Sequence, residues 1–155
     1  MALTARDLME TDVICVSPEA PLTTVQRLFF EEEIHGAPVV DDQGRVVGLI
    51  SSADLLRSAA DEFATEAPEI EIQDLLEFSL SRWGSHEIFS KPFSELTARD
   101  AMTETVVSVT PDSPIFEIAR TLRRDRIHRV LVIEADQLRG VISTFDLVAV
   151  LEKQA

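Results

Sequence analysis

With 155 residues, 45% of them hydrophobic and 27% charged, the chain can bury a core, either as one unit or as two small halves sharing one. Its formal net charge of −14 repels phosphate backbones and argues against nucleic-acid binding, so any anionic ligand must meet a local exception to that field. A single cysteine, Cys15, excludes an intrachain disulfide, and no apolar run approaches the ~20 residues that span a bilayer.

The first residues, Met1-Ala2-Leu3-Thr4-Ala5-Arg6-Asp7, lack the charged-then-apolar pattern of a signal peptide, so a soluble, cytoplasmic chain without a membrane partner is expected. Thr4-Ala5-Arg6-Asp7-Leu8-Met9 predicts a short helical turn. A β-branched strand follows over 13–16, in which Cys15 is expected as a small buried thiol. Ser17-Pro18-Glu19-Ala20-Pro21 breaks that strand and delivers the chain into a helix with Leu22, Val25, Gln26 and Phe29 on one face. Strands over 37–40 and 46–50 are joined by Asp41-Asp42-Gln43-Gly44, and Ser51 opens a closing helix. Residues 61–95 form a connector, acidic at first, then carrying Leu75, Leu76, Leu80 and Trp83 at helical spacing over 73–83. That stripe is expected to pack onto the module or a second copy; the other reading makes Trp83 a stacking lid over a bound base.

The opening pattern then restarts. Thr97-Ala98-Arg99-Asp100-Ala101-Met102 repeats Thr4 to Met9 at an offset of 93, which also carries Pro18 and Pro21 onto Pro111 and Pro114, and Ile34-His35 onto Ile127-His128. After a one-residue contraction, Gly48-Leu49-Ile50-Ser51 matches Gly140-Val141-Ile142-Ser143, and Asp54 matches Asp146. The second copy reads like the first: a strand over 106–109, a helix with Ile115, Ile118, Ala119 and Leu122 on one face, strands over 130–133 and 138–142, and a helix opened by Ser143. The chain is a duplication of a β-α-β-β-α unit, divided by sequence into 1–60, the connector 61–95, and 96–155. Neither half has enough helix to cover its sheet, so the two are expected to pack together.

These residues resemble the CBS (cystathionine-β-synthase) domain family, which occurs as tandem pairs forming one module. The resemblance covers 3–60 and 95–152 and rests on a conjunction repeated in register: Asp-x-Met, strand, Pro-x-x-Pro, helix, then Gly-apolar-apolar-Ser-x-x-Asp. It implies an α/β (α+β) fold in which the two repeats pack with pseudo-two-fold symmetry, and a cleft between them that binds an adenine nucleotide. By position it implies that Ser51 with Asp54, and Ser143, Thr144 and Asp146, hold ribose and phosphate. Val16 and Val109 in the first strands would then meet the base. The residue types suit the task, since a short carboxylate accepts ribose hydroxyls and a helix start favours phosphate. Ser-x-x-Asp ahead of an apolar run is equally a helix cap with no ligand, and both roles can coexist.

The local exception to an acidic chain lies in the second copy, where Arg120, Arg123, Arg124, Arg126, His128 and Arg129 fall together. The first copy has Phe30, Glu31, Glu33 and Gly36 at the places of Arg123, Arg124, Arg126 and Arg129. In one reading, implied by the resemblance, His128 and Arg129 hold a phosphate, matched only by His35 in the first copy, so the two sites are unequal. In another, the Glu31-Glu32-Glu33 end of one chain meets the arginines of a second in an antiparallel homodimer. A third leaves these arginines as a solvated face.

No nucleophile–base pair, metal cluster or Gly-rich phosphate loop emerges. His35 and His128 occupy equivalent positions that a shared metal could bridge, but nothing nearby has ligand spacing. The repeats run to within a few residues of both ends, leaving no room here for a catalytic domain. The expectation is a regulatory sensor, not an enzyme, that needs no cofactor beyond its nucleotide (AMP, ADP or ATP, with magnesium if ATP) and acts on an unknown partner. The alternatives are a ligand-independent interaction module and a module for an S-adenosylmethionine-type ligand.

Overall fold

A computed structural model describes residues 3–66 and 95–154. The connector stripe over 73–83, including Trp83, lies outside the described residues. The elements in chain order are α1 (Ala5–Leu8), α2 (Leu22–Glu31), β1 (Gly36–Val40), β2 (Val46–Ser51), α3 (Ser52–Glu66), α4 (Ala98–Ala101), β3 (Ser108–Val109), α5 (Ile115–Asp125), β4 (Arg129–Glu134), β5 (Gln137–Ser143) and α6 (Thr144–Gln154). The fold is mixed α/β, with β1 paired to β2 in one sheet and the order β3-β4-β5 in the other.

Compactness cuts the chain differently from the sequence repeat. One unit comprises Met1–Ile14, Asp42–Val46 and Thr105–Ala155, the other Cys15–Asp41 and Val47–Glu104. Each short Thr-Ala-Arg-Asp helix is therefore built into the unit formed by the other copy's strands. In the first unit the Ala5 and Arg6 amides donate to Ser113 and Pro111 carbonyls at 2.9 Å, and Glu10 pairs antiparallel with Val141. In the second, Ala98 and Arg99 donate to Ala20 and Pro18 at 2.8 and 2.9 Å, and Thr103 pairs with Leu49. Both helices are closed alike: Asp7 Oδ2 accepts the Thr4 N–H and hydroxyl, and Asp100 Oδ2 those of Thr97. These bonds, the backbone one foremost, hold both carboxyls below the usual aspartate range.

The second unit buries Leu22, Val25 and Phe29 of α2 against Val39 of β1, Ile50 of β2 and Leu55 of α3. The first unit does the same with Ile118 and Leu122 of α5, Val130 and Val132 of β4, and Ile142 of β5. Gln26 and Ile115 are half-buried, as positions beside the stripe should be, whereas Ala119 is exposed and does not join the core. The β4–β5 connection is tighter than the sequence suggests: the strands reach Glu134 and Gln137, leaving Ala135 (φ 50°) and Asp136 (φ 64°) as a two-residue turn of the mirror-image type that matches strand twist.

Two expectations are corrected. The strand over 13–16 reduces to Val16, bridged in parallel to Val39, and that over 106–109 to β3, parallel to β4. The chain passes from one unit to the other between Ile14 and Cys15, so the first of these strands cannot extend back within one sheet. Cys15 is exposed rather than buried, because side chains alternate along extended backbone and Val16, 4% exposed, takes the inward position. Partial desolvation still pushes its thiol pKa up, which disfavours the reactive thiolate.

Candidate functional site

Each unit carries one Ser-x-x-Asp helix start, and both form closed caps. At the start of α3, Asp54 Oδ2 accepts the Ser51 N–H at 2.8 Å and the Ser51 hydroxyl at 2.9 Å, while the Asp54 amide donates to Ser51 Oγ at 3.3 Å. At the start of α6, Asp146 Oδ2 accepts the same two groups of Ser143, the hydroxyl at 2.7 Å, and the Asp146 amide donates back at 3.4 Å. The cap reading of this motif is thus realised in both copies, using one carboxylate oxygen each.

The second oxygens differ. Asp54 Oδ1 accepts a 3.0 Å bond from Arg57 Nη1, one helical turn on, whereas Asp146 Oδ1 has no partner among the described residues. The position matching Arg57 is Ala149. Residues three apart share a helix face, and here that places the Arg57 guanidinium on the Asp54 carboxylate.

The β4–β5 register sets Arg129 directly opposite Ser143, and the Thr144 amide donates to the His128 carbonyl at 2.9 Å. Antiparallel pairing thereby brings His128 and Arg129, both exposed, to the helix start carrying Thr144 and Asp146. In the other unit the Ser52 amide donates to the His35 carbonyl at 2.8 Å, and Gly36 lies beside Ser51. Ser52 Oγ is buried there with no hydrogen-bond partner. Val16 and Val109 are packed into the two cores.

Sequence reading missed a third element, the left-handed residue that follows the helix before each histidine. Glu33 (φ 53°) and Arg126 (φ 54°), matched by the duplication, both adopt the left-handed conformation, so the same backbone position carries opposite charge in the two copies. Arg126 joins Arg123, His128 and Thr144 around a depression of about 440 Å³ floored by Ile127 and Leu147. Arg124 instead forms a two-point ion pair with Asp125 at 3.0 and 2.9 Å. Among the described residues no group of three or more His, Cys, Asp or Glu side chains could hold a metal ion. Among them, too, no helix is long and apolar enough to cross a membrane.

The CBS-domain model matches residues 5–61 and 98–153. The chain is 28% identical over 155 residues to "Uncharacterized protein MJ1426" of Methanocaldococcus jannaschii, covering 94% of this chain and 89% of that protein. It is also 28% identical over 141 residues to human 5′-AMP-activated protein kinase subunit gamma-3, covering 90% of this chain but spanning only 24% of that subunit's length. The solved structure of CBSX2 in complex with AMP has the same fold, with a TM-score of 0.68 at 24% identity, covering 98% of each chain. The repeat, the two helix starts and the matched family model together establish that this chain belongs to the CBS-domain family, as a tandem pair of its repeats.

Proposed function

We propose that the chain is a regulatory module that binds an adenine nucleotide and passes the resulting change to a partner protein, in the cytoplasm. In the first unit His128 and Arg129 take the phosphate beside Ser143 and Thr144, and Asp146 takes the ribose hydroxyls. His35, Ser51 and Asp54 are their counterparts in the second unit. Val109 and Val16, being buried, would meet a base through backbone edges rather than side chains. The observation that carries the reading is the pairing of Arg129 with Ser143, which sets a guanidinium across from a helix start whose aspartate keeps one oxygen unpartnered among the described residues. Guanidinium, helix N-terminus and short carboxylate are the groups that a phosphorylated nucleoside requires. The kinase subunit named for 5′-AMP and the AMP complex of CBSX2 point to the same ligand class.

Thermal unfolding with AMP, ADP, ATP and S-adenosylmethionine tests this, because a ligand that binds only folded protein raises its stability. A rise with an adenine nucleotide is expected; no rise with any of the four would leave a ligand-independent interaction module. Replacing Arg129 by Ala should weaken nucleotide affinity about tenfold, equivalent to about 1.4 kcal/mol, as read by titration calorimetry.

A second observation favours self-association alongside ligand binding. Phe145, Val148 and Leu151 lie on one face of α6 and are 82%, 50% and 67% exposed. Such an apolar row marks a protein contact surface. In an antiparallel homodimer Glu31-Glu32-Glu33 would face Arg123 and Arg126 of the other chain, Arg124 being already paired with Asp125. Phe145→Glu should convert a dimer to monomer in light scattering. A crosslink between Glu32 and its own symmetry mate would refute the antiparallel arrangement.

A further inference from the structure

We infer that the chain takes one nucleotide, not two: the site of the second copy, at Asp146, is open, and its counterpart at Asp54 is closed by the chain's own side chains. This rests on the nucleotide reading above and adds which site works and what shuts the other.

Three differences at positions matched by the duplication point the same way. The oxygen of Asp54 that its cap leaves over is taken by Arg57 Nη1 at 3.0 Å, and Asp54 itself is 7% exposed, so a ribose diol would have to displace an internal partner to reach it. The corresponding oxygen of Asp146 meets no such competitor among the described residues, Ala149 standing where the arginine would be. The phosphate side is also changed, since Gly36 stands where Arg129 supplies a guanidinium. Finally, Glu33 occupies the left-handed position just past the end of α2 that Arg126 occupies after α5, behind Glu31 and Glu32, so the approach to His35 is acidic. Like charge repels a phosphate and opposite charge attracts it, and the two approaches differ in sign. Each lost guanidinium–phosphate contact weakens binding about tenfold, and the three effects compound.

The closure is reversible by design. A Cβ built on Gly36 comes no nearer than 3.4 Å to Ile50 O, and its backbone is not left-handed, so the position tolerates a side chain's Cβ without backbone strain. Titration calorimetry of the full chain with AMP should give one equivalent per chain. Asp146→Asn, which keeps a cap oxygen, should lose at least about tenfold in affinity. The triple variant Glu33→Arg, Gly36→Arg, Arg57→Ala should bind a second equivalent. Two equivalents on the unaltered chain would overturn the inference, as would unweakened AMP binding by Asp146→Asn or a folded triple variant that still takes only one. Absence of binding by the unaltered chain to AMP, ADP and ATP alike would instead remove the nucleotide reading, and this inference with it.

Discussion

Phe29→Ala is expected to destabilise the unit containing α2 by about 3–5 kcal/mol, read as a lower urea midpoint at unchanged slope. Phe29 is 1% exposed and belongs to the core that also contains Leu22, Val25, Val39, Ile50 and Leu55. Removing the ring takes away its transfer free energy and leaves a cavity that neighbours on a sheet and two helices can only partly fill. The position also closes α2, because the Ile34 amide donates to the Phe29 carbonyl at 3.0 Å just before His35. Its neighbour is the control. Phe30 is 54% exposed, and Phe30→Ala should change stability by no more than about 0.5 kcal/mol. Equal losses at the two positions would contradict the placement of the helix face.

Gly140→Val should cost about 3 kcal/mol through overpacking, although β5 is a strand and valine favours strands. A Cβ at Gly140 would fall 2.7 Å from the Glu10 carbonyl oxygen and 3.0 Å from the Met9 side chain. The first of these is backbone, held by the reciprocal 2.9 Å bonds between Glu10 and Val141, so it cannot step aside without unpairing the exchanged segment. Gly48 repeats the arrangement: a Cβ there would fall 2.9 Å from the Thr103 oxygen and 2.7 Å from Met102 Sδ. The glycine of each Gly-apolar-apolar-Ser motif therefore serves the close approach of the other copy's segment. Hydrogen exchange should show the Glu10 and Val141 amides losing protection in Gly140→Val while those of Leu49 and Thr103 keep theirs. Unchanged protection at Glu10 would refute this account.

Much of the fold was legible in the residues themselves. The offset of 93 between Thr4 and Thr97 established a duplication, apolar spacing placed Leu22, Val25 and Phe29 on one helix face, and Ser51-x-x-Asp54 announced a helix start that is indeed capped. These features are local: periodicity, caps and turns depend on residues within a few positions of one another. Which sheet a segment joins is a long-range choice, and there the sequence was silent. Nothing near Ala5 states that it packs with Ile142, nor anything near Ala98 that it packs with Ile50. The same limit governs the candidate site. Arg129 and Ser143 were both singled out from the repeat, but only strand pairing sets them opposite each other. Residue types nominated Asp54 and Asp146 as equals; the exchange of Arg57 for Ala149 is written in the sequence, but only the structure shows that guanidinium bonded to the Asp54 oxygen its cap leaves over, and that bond separates the two sites.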